Sequence, residues 1–206
     1  MIKGVIFDLD GTILDSVDLR VKAWRYAFQM VDISVPGDEI RPLIGLPGEN
    51  LAGRYYKYPD EVEKMEEQFF KSHLSEASFY SDVGDTFTSL SSRDINTVIV
   101  TSSRKDLTKR LDIPVNRIVT IDDVTNGKPD TEPYLKALAY MKIEPSELMV
   151  VGDSESDLMP AKKLGALSVM VLHGRDVESK YADYYVDEIG DVVQLIDKVT
   201  AVKYSF

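Results

Sequence analysis

Cysteine is absent from this chain of 206 residues, and so are the sequence features of membrane and secreted proteins. A chain without cysteine has no disulfide framework, no thiolate nucleophile and no thiolate metal site. No apolar run approaches the roughly 18 residues of a membrane span. The N-terminus lacks the charged, apolar and small-residue order of a signal peptide. We therefore expect a soluble, cytoplasmic protein without a membrane partner.

Positive charge is also scarce. The chain has 24 Lys and Arg against 35 Asp and Glu, a net charge of −11, and no basic run offsets it. This balance excludes a general nucleic-acid or membrane-surface binder. Part of the acidic excess is a cluster on a predicted helix, where it is typical of a solvated face: Glu61, Glu63, Glu66 and Glu67.

The first distinctive stretch is a short apolar run that ends in two carboxylates. Residues 5–7 read Val-Ile-Phe, typical of a buried strand, and Asp8 and Asp10 follow on either side of Leu9. Alternate side chains of an extended segment share a face, so the two aspartates point the same way. Side by side in a buried position, they need a cation, a shared proton or both. A capping aspartate in an ordinary strand-to-helix turn is the alternative.

The chain length favours one domain with a sizeable insertion, or two small domains. Between residues 16 and 77 the pattern is helical, with breaks at prolines and glycines; after Tyr80 apolar runs alternate with helical stretches. Strands alternating with helices build a parallel sheet covered on both faces. We predict an α/β doubly wound, Rossmann-like core over residues 1–15 and 79–206, and an inserted helical cap over residues 16–78. The segments near Asp15 and Tyr80, where the chain crosses between the two, are candidate hinges.

The strands and helices are predicted from apolar periodicity. The predicted strands cover residues 5–7, 97–100, 117–121, 148–151, 168–172 and 184–186, the last as an edge strand. The predicted helices cover residues 17–31, 59–74, 83–90, 106–111, 131–141, 156–164 and 192–202.

Three later strand ends or loops also carry polar groups. Thr101 and Ser102 follow one strand and can hold phosphate oxygens, although such hydroxyls are also common helix caps. Lys128 lies between a glycine and a proline, which can aim its ammonium inward or leave it in a surface turn. Asp153 and Asp157 follow another strand, one helical turn apart, so both can face one Mg²⁺. Helix capping by Asp153 is the alternative.

Taken together, the order of these groups resembles the four motifs of the haloacid dehalogenase (HAD) superfamily. Residues 8–12, Asp-Leu-Asp-Gly-Thr, are similar to its first motif, and the helical insertion behind them resembles its C1-type cap. The phosphoglycolate phosphatase-like branch is the most similar, through residues 10–12, residues 43–47 (Leu-Ile-Gly-Leu-Pro), and Lys128-Pro129 ahead of Tyr134. Two departures are visible: residues 130–133 lack the usual proline alternation, and residues 107–124 are short, which would trim the core there.

The resemblance implies a Mg²⁺-dependent phosphatase that forms an aspartyl-phosphate on Asp8 during hydrolysis of a small phosphate monoester. Asp10 would serve as general acid and base, Thr101 and Ser102 would hold phosphoryl oxygens, and Lys128 would neutralise charge. The metal ligands would come from Asp8, the Asp10 carbonyl oxygen, Asp153 and Asp157.

The leaving group would be that of a small phosphorylated metabolite, since the loop around residues 41–49 that closes over it is small. Arg41, from the cap, and Arg104, from the core, are candidate substrate contacts; an exposed structural role is the alternative for each. A sugar-phosphate mutase of the same superfamily and a non-enzymatic phospho-receiver domain are the alternative functions. The receiver order differs, because two aspartates follow Lys128 here. A dehalogenase is disfavoured, because that branch lacks the second acidic residue of the first motif, which is Asp10 here.

Overall fold

The computed structural model describes residues 1–115 and 117–202, with no description of the Val202 side chain. Its helices and strands follow the predicted order, with a few short additions. The strands are β1 Gly4–Phe7, β2 Leu14–Asp15, β3 Ser78–Phe79, β4 Asn96–Val100, β5 Ile118–Val119, β6 Leu148–Gly152, β7 Leu167–Val171 and β8 Tyr184–Val186. The helices are α1 Val17–Gln29, α2 Gly37–Ile40, α3 Gly48–Ala52, α4 Pro59–Ser72, α5 Val83–Ser92, α6 Lys105–Thr108, α7 Glu132–Met141, α8 Glu155–Leu164 and α9 Asp191–Val202.

Six strands form one sheet in the order β5-β4-β1-β6-β7-β8, and every neighbouring pair is parallel. β1 lies near the middle, with Phe7 in register with Ile99 on one side and Val151 on the other. Helices α5 and α9 contribute to the apolar cluster on one face, and α7 and α8 to the cluster on the other. The predicted doubly wound α/β core is therefore confirmed, and its edge strand at Tyr184–Val186 is the outermost strand on that side.

Helices α1 to α4 lie between β2 and β3 in the chain and pack around an apolar cluster of their own that includes Trp24 and Phe28. The segments that enter and leave this helical unit pair with each other, because β2 and β3 form an antiparallel ribbon with Leu14 opposite Phe79. We propose residues 16–78 as a cap domain on a core of residues 1–15 and 79–206.

The structure differs from the predicted elements in two places. α1 ends at Gln29 rather than near residue 31, and Pro36 precedes a short helix, α2, that was not predicted. α6 ends at Thr108 and β5 is only two residues long, so the described residues of this part of the core hold less regular structure than expected. Pro114 disfavours helical backbone at the residue before it, which is consistent with an early end of α6. No helix in the described ranges is both long and apolar enough to cross a membrane.

Candidate active site

The candidate site lies where the carboxyl ends of β1, β4 and β6 meet under the helical cap. These strands are neighbours in the sheet, so Asp8, Thr101 and Asp153, which follow them, meet at one edge. Ligands of open α/β sheets bind at this edge. Asp8 and Thr101 are buried, and the side chain of Asp153 is 9% exposed.

Lys128 reaches into this edge from the loop before α7. Its side chain is 1% exposed, and Nζ lies 2.5 Å from Asp8 Oδ1 and 2.6 Å from Asp157 Oδ1. Tyr134 and Ser154 also donate hydrogen bonds to Asp157, at 3.2 Å and 2.8 Å. One ammonium group is therefore shared by two buried carboxylates, and burial lowers the pKa of Lys128 less than the charges of Asp157 and Asp8 raise it.

Three carboxylates surround that single ammonium, and their oxygens fit a divalent cation. One oxygen from each of Asp8, Asp153 and Asp157 lies within 4.8 Å of the others. The second oxygen of Asp8, Oδ2, is buried and has no hydrogen-bond partner. Burial, followed by the charge of Asp157, raises the pKa of Asp8. Clustered carboxylate oxygens are the donors that Mg²⁺ prefers, so the residues present suit that ion.

Asp153 is held from the far side by Arg175, whose Nη1 lies 3.0 Å from Oδ2. Burial and the charge of Asp157 raise the pKa of Asp153 to about 7 despite Arg175. Gly11, with φ at +79°, follows the second aspartate of the first motif, and a side chain there would collide with Asp153. Glycine therefore lets the loop after β1 approach the end of β6.

Asp10 has a separate set of partners. Its Oδ1 accepts hydrogen bonds from Ser16 at 2.6 Å and from Arg20 Nε at 3.1 Å. Its Oδ2 accepts from Arg20 Nη2 at 3.1 Å and from Ser103 at 3.0 Å. Burial opposes ionisation of Asp10, but the charge and hydrogen bonds of Arg20 outweigh it and lower the pKa.

Arg20 also binds a carboxylate of the cap. Its Nη1 lies 3.0 Å from Glu66, which is 1% exposed, and its guanidinium lies 3.7 Å from the centre of the Phe70 ring. Burial raises the pKa of Glu66 to about 7, because Arg20 compensates it only in part. Asp10 takes two of the hydrogen bonds that Arg20 donates and Glu66 takes one, so Asp10 is the better compensated carboxylate.

Thr101 and Ser102 lie at the end of β4, as the sequence places them. The Thr101 hydroxyl is buried and accepts a hydrogen bond from the Ser103 backbone N–H at 3.1 Å. The Ser102 hydroxyl donates to the carbonyl oxygen of Gly45 in the cap at 2.7 Å. The core loop after β4 therefore contacts the cap loop directly.

The two arginines proposed as substrate contacts lie farther out. Arg41 pairs with Asp18 in the cap and lines a cavity of about 620 Å³ that also reaches Asp153. Arg104 pairs with Glu63, Glu67 and Asp122 between cap and core. It lines a second cavity of about 510 Å³, which reaches Lys128.

Asp8 and Asp10 themselves line a much smaller cavity of about 50 Å³. Its core side adds Ser102 and Ser103, and its cap side adds Arg20 and several mostly apolar residues: Trp24, Ile44, Gly45, Leu46, Gly48 and Leu51. In this closed arrangement the space beside Asp8 holds nothing larger than a few water-sized groups, which favours small ligands.

Sequence reasoning missed Arg20, Ser103 and Glu66. A signal existed for the two charged residues, because Arg20 lies beside Val21 on the apolar face of α1 and Glu66 follows Val62 by one turn on that of α4. The interpretation of the acidic cluster as a solvated face is wrong for two of its members. Glu63 and Glu66 are buried, and they pair with Arg104 after β4 and with Arg20 of α1, respectively.

Comparison with known proteins agrees with this geometry. A family model described as haloacid dehalogenase-like hydrolase matches residues 5–171. A candidate pyrophosphatase, PpaX, of Clostridium perfringens is 30% identical and covers 98% of this chain and 100% of its own length. Among solved structures, a hydrolase from Pseudomonas syringae superposes with a TM-score of 0.87 at 25% identity, covering 97% of this chain and 99% of its own. A predicted phosphoglycolate phosphatase from Haemophilus somnus superposes with a TM-score of 0.81 at 17% identity, covering 95% and 98%.

Proposed function

The chain belongs to the haloacid dehalogenase-like hydrolase family, and from this premise we propose that it is a Mg²⁺-dependent phosphatase of small phosphate esters that works through Asp8. The observation that carries the proposal is the buried Asp8 Oδ2, which has no hydrogen-bond partner while Lys128 holds Oδ1. An oxygen in that position has free lone pairs, either for a cation or for attack on phosphorus. The Haemophilus somnus structure, which has a similar fold, is described as a predicted phosphoglycolate phosphatase, and such an enzyme catalyses the same class of reaction.

In the first step, a carboxylate oxygen of Asp8 forms a bond to phosphorus, and the bond from phosphorus to the leaving oxygen breaks. The leaving oxygen takes a proton from Asp10, and an aspartyl-phosphate remains on Asp8. In the second step, water gives a proton to Asp10 and its oxygen bonds to phosphorus, while the bond from phosphorus to the Asp8 oxygen breaks. Phosphate leaves, and the Asp8 carboxylate is restored. Splitting one displacement into two steps is the advantage of a covalent intermediate.

The remaining residues balance charge. Asp8, the Asp10 carbonyl oxygen and Asp153 would hold Mg²⁺, with Asp157 as a further ligand or as a support for the ligands. When bound, the ion would neutralise developing charge on the phosphoryl oxygens. Lys128 adds a fixed positive charge beside Asp8, and Thr101 and the Ser102 backbone would hold phosphoryl oxygens at the end of β4.

Inorganic pyrophosphate is a second candidate substrate. The name of the Clostridium perfringens relative points to it. The cavity of about 50 Å³ beside Asp8 and Asp10 also favours a leaving group that is itself small. A mutase remains the alternative within the family, and it would differ by low hydrolysis and activation by a bisphosphate.

The test is phosphate release from a panel of small phosphorylated metabolites, pyrophosphate and a generic aryl phosphate, with and without Mg²⁺. We expect release that requires the divalent ion and stops on addition of a chelator. Undiminished turnover in excess chelator would exclude the metal-dependent mechanism. Failure to cleave any compound in the panel would exclude the phosphatase.

A further inference from the structure

Arg20 connects Asp10 to the space where a leaving group would lie. It is the one positively charged side chain among the described residues lining the 50 Å³ cavity, which it shares with Asp8 and Asp10. Lys128 compensates Asp8 on the opposite, Asp157 side. A negative charge inside this cavity would therefore have Arg20 as its nearest lining cation.

Arg20 is the only partner of Asp10 among its described hydrogen-bond contacts that carries a positive charge. Each oxygen of Asp10 already accepts two hydrogen bonds, one of them from Arg20. The other two partners are the hydroxyls of Ser16 and Ser103, which can also accept hydrogen bonds, whereas a guanidinium can only donate them. An anion in the cavity would compete with Asp10 for Arg20, because a buried guanidinium is stabilised by an anion lying against it.

Arg20 has two further partners besides Asp10. Nη1 is bound to Glu66 on α4, and the guanidinium rests on the Phe70 ring. Both partners belong to the cap, as does Arg20 itself. Glu66 and Phe70 therefore hold the guanidinium independently of Asp10.

Resting on the proposed function, we propose that Arg20 is a specificity residue that exchanges Asp10 for an anionic leaving group. The substrate class is then a small phosphate compound whose leaving group carries its own negative charge. All substrates of this class have a second anion close to the transferred phosphoryl group, and that anion is either a second phosphate or a carboxylate.

The experiment measures binding without turnover, by calorimetry of the full chain in Mg²⁺. The probes are inorganic phosphate, methylenediphosphonate as a diphosphate that cannot be hydrolysed, and phosphonoacetate as its carboxylate counterpart. We expect Arg20→Met to raise the Kd of at least one two-anion probe about 10- to 100-fold, the effect of losing a charged hydrogen bond. The Kd of phosphate should change less than about 3-fold. Whichever two-anion probe responds identifies the second anion.

Lys71→Met is the matched control, because Lys71 also joins cap to core, through Asp106 at 2.6 Å, but lies outside the cavity. It should leave all three Kd values unchanged. Arg20→Lys keeps the charge but loses the contact through two nitrogens, so we expect an intermediate rise in the Kd of the two-anion probe. The same variant replaces Arg20→Met if that protein does not fold.

Equal losses for phosphate and both two-anion probes would make Arg20 a structural bridge and overturn the proposal. Two-anion probes that bind no better than phosphate to the unaltered protein would overturn it as well. In either case, Mg²⁺-dependent cleavage of an aryl phosphate would leave the phosphatase intact, so the two proposals fail separately.

Discussion

Lys128 donates to Asp157 at 2.6 Å and to Asp8 at 2.5 Å, so one buried ammonium compensates two carboxylates, one in α8 and one after β1. We expect Lys128→Met to lower the free energy of unfolding by about 3–5 kcal/mol, the cost of leaving a buried charge unpaired. Saturating Mg²⁺ should recover part of this loss, because a bound cation would take over the compensation. Urea unfolding with and without Mg²⁺ measures both quantities.

Lys162→Met is the control for that experiment. Lys162 pairs with Asp183 at the surface, where an ion pair contributes less than about 1 kcal/mol. If Lys128→Met proved as stable as Lys162→Met in the absence of Mg²⁺, Lys128 would not be compensating the buried carboxylates.

Asp8 and Asp10 differ in surroundings and should differ in their mutant kinetics. Asp8→Asn removes the proposed nucleophile, so we expect turnover and the acid-stable phosphoenzyme both to disappear. Asp10→Asn removes proton transfer and should cost about 10²- to 10⁴-fold in kcat, or more if both steps depend on it. Steady-state rates and acid-quenched phosphoenzyme measure the two effects. Normal turnover by Asp8→Asn would refute the covalent mechanism.

Binding of Mg²⁺ should strengthen as pH rises through about 7. Burial and the charge of Asp157 raise the pKa of Asp153 to about 7, so protons compete with the metal below that pH. Titration calorimetry at about pH 6 and about pH 8 should show a lower Kd at the higher pH. Asp153→Asn should weaken binding at both values and flatten the difference. An unaltered Kd across this range would mean that Asp153 holds no proton for the metal to displace.

The sequence predicted the order of core strands and helices because apolar runs and periodicity report burial directly. It also placed Asp8, Thr101, Lys128 and Asp153 at strand ends or loops that the parallel sheet brings to one edge. It could not place Glu66, because side-chain burial at a cap–core interface depends on how two distant segments dock.

Hydrogen bonds between the cap and the core could not be predicted from the sequence either. Arg20 and Asp10 are close in sequence, yet their contact depends on how α1 leaves the β2–β3 ribbon. The short β5 was partly foreseeable, since residues 107–124 are few for a helix and a full strand.

Glu66 should give the protein a measurable pH dependence of stability. Burial raises its pKa to about 7, so the folded state retains a proton that the unfolded chain releases above about pH 4.3. The stability that this proton contributes is fully present below the unfolded pKa, and it is lost as pH rises through the folded pKa. We expect the free energy of unfolding of the unaltered protein, minus that of Glu66→Gln, to fall between about pH 4.3 and about pH 7.

Urea unfolding across that range tests the expectation. Glu61→Gln is the control, because Glu61 is exposed on the same helix and has no core partner. Asp10, whose pKa is lowered, contributes in the opposite sense at acid pH, and it is present in all three proteins. A Glu66→Gln profile parallel to that of the unaltered protein would show that Glu66 carries no extra proton.

Arg41 provides a test of the cap in substrate choice. It pairs with Asp18 on the exposed side of the cap and lines the 620 Å³ cavity that also reaches Asp153. If cap residues contact the leaving group, Arg41→Ala should raise KM for the best small substrate while cleavage of an aryl phosphate stays nearly unchanged, because the core residues do the chemistry. Both substrates are measured on one preparation of each protein.

Lys22→Ala is the matched control for Arg41→Ala. Lys22 forms a comparably exposed ion pair with Glu76 at 3.0 Å but does not line that cavity. It should leave both substrates unaffected, since an exposed pair contributes little to stability. If Arg41→Ala lost activity equally on both substrates while Lys22→Ala was unchanged, Arg41 would support the fold or the core site. Any role of the cap loop in specificity would then have to lie with other residues.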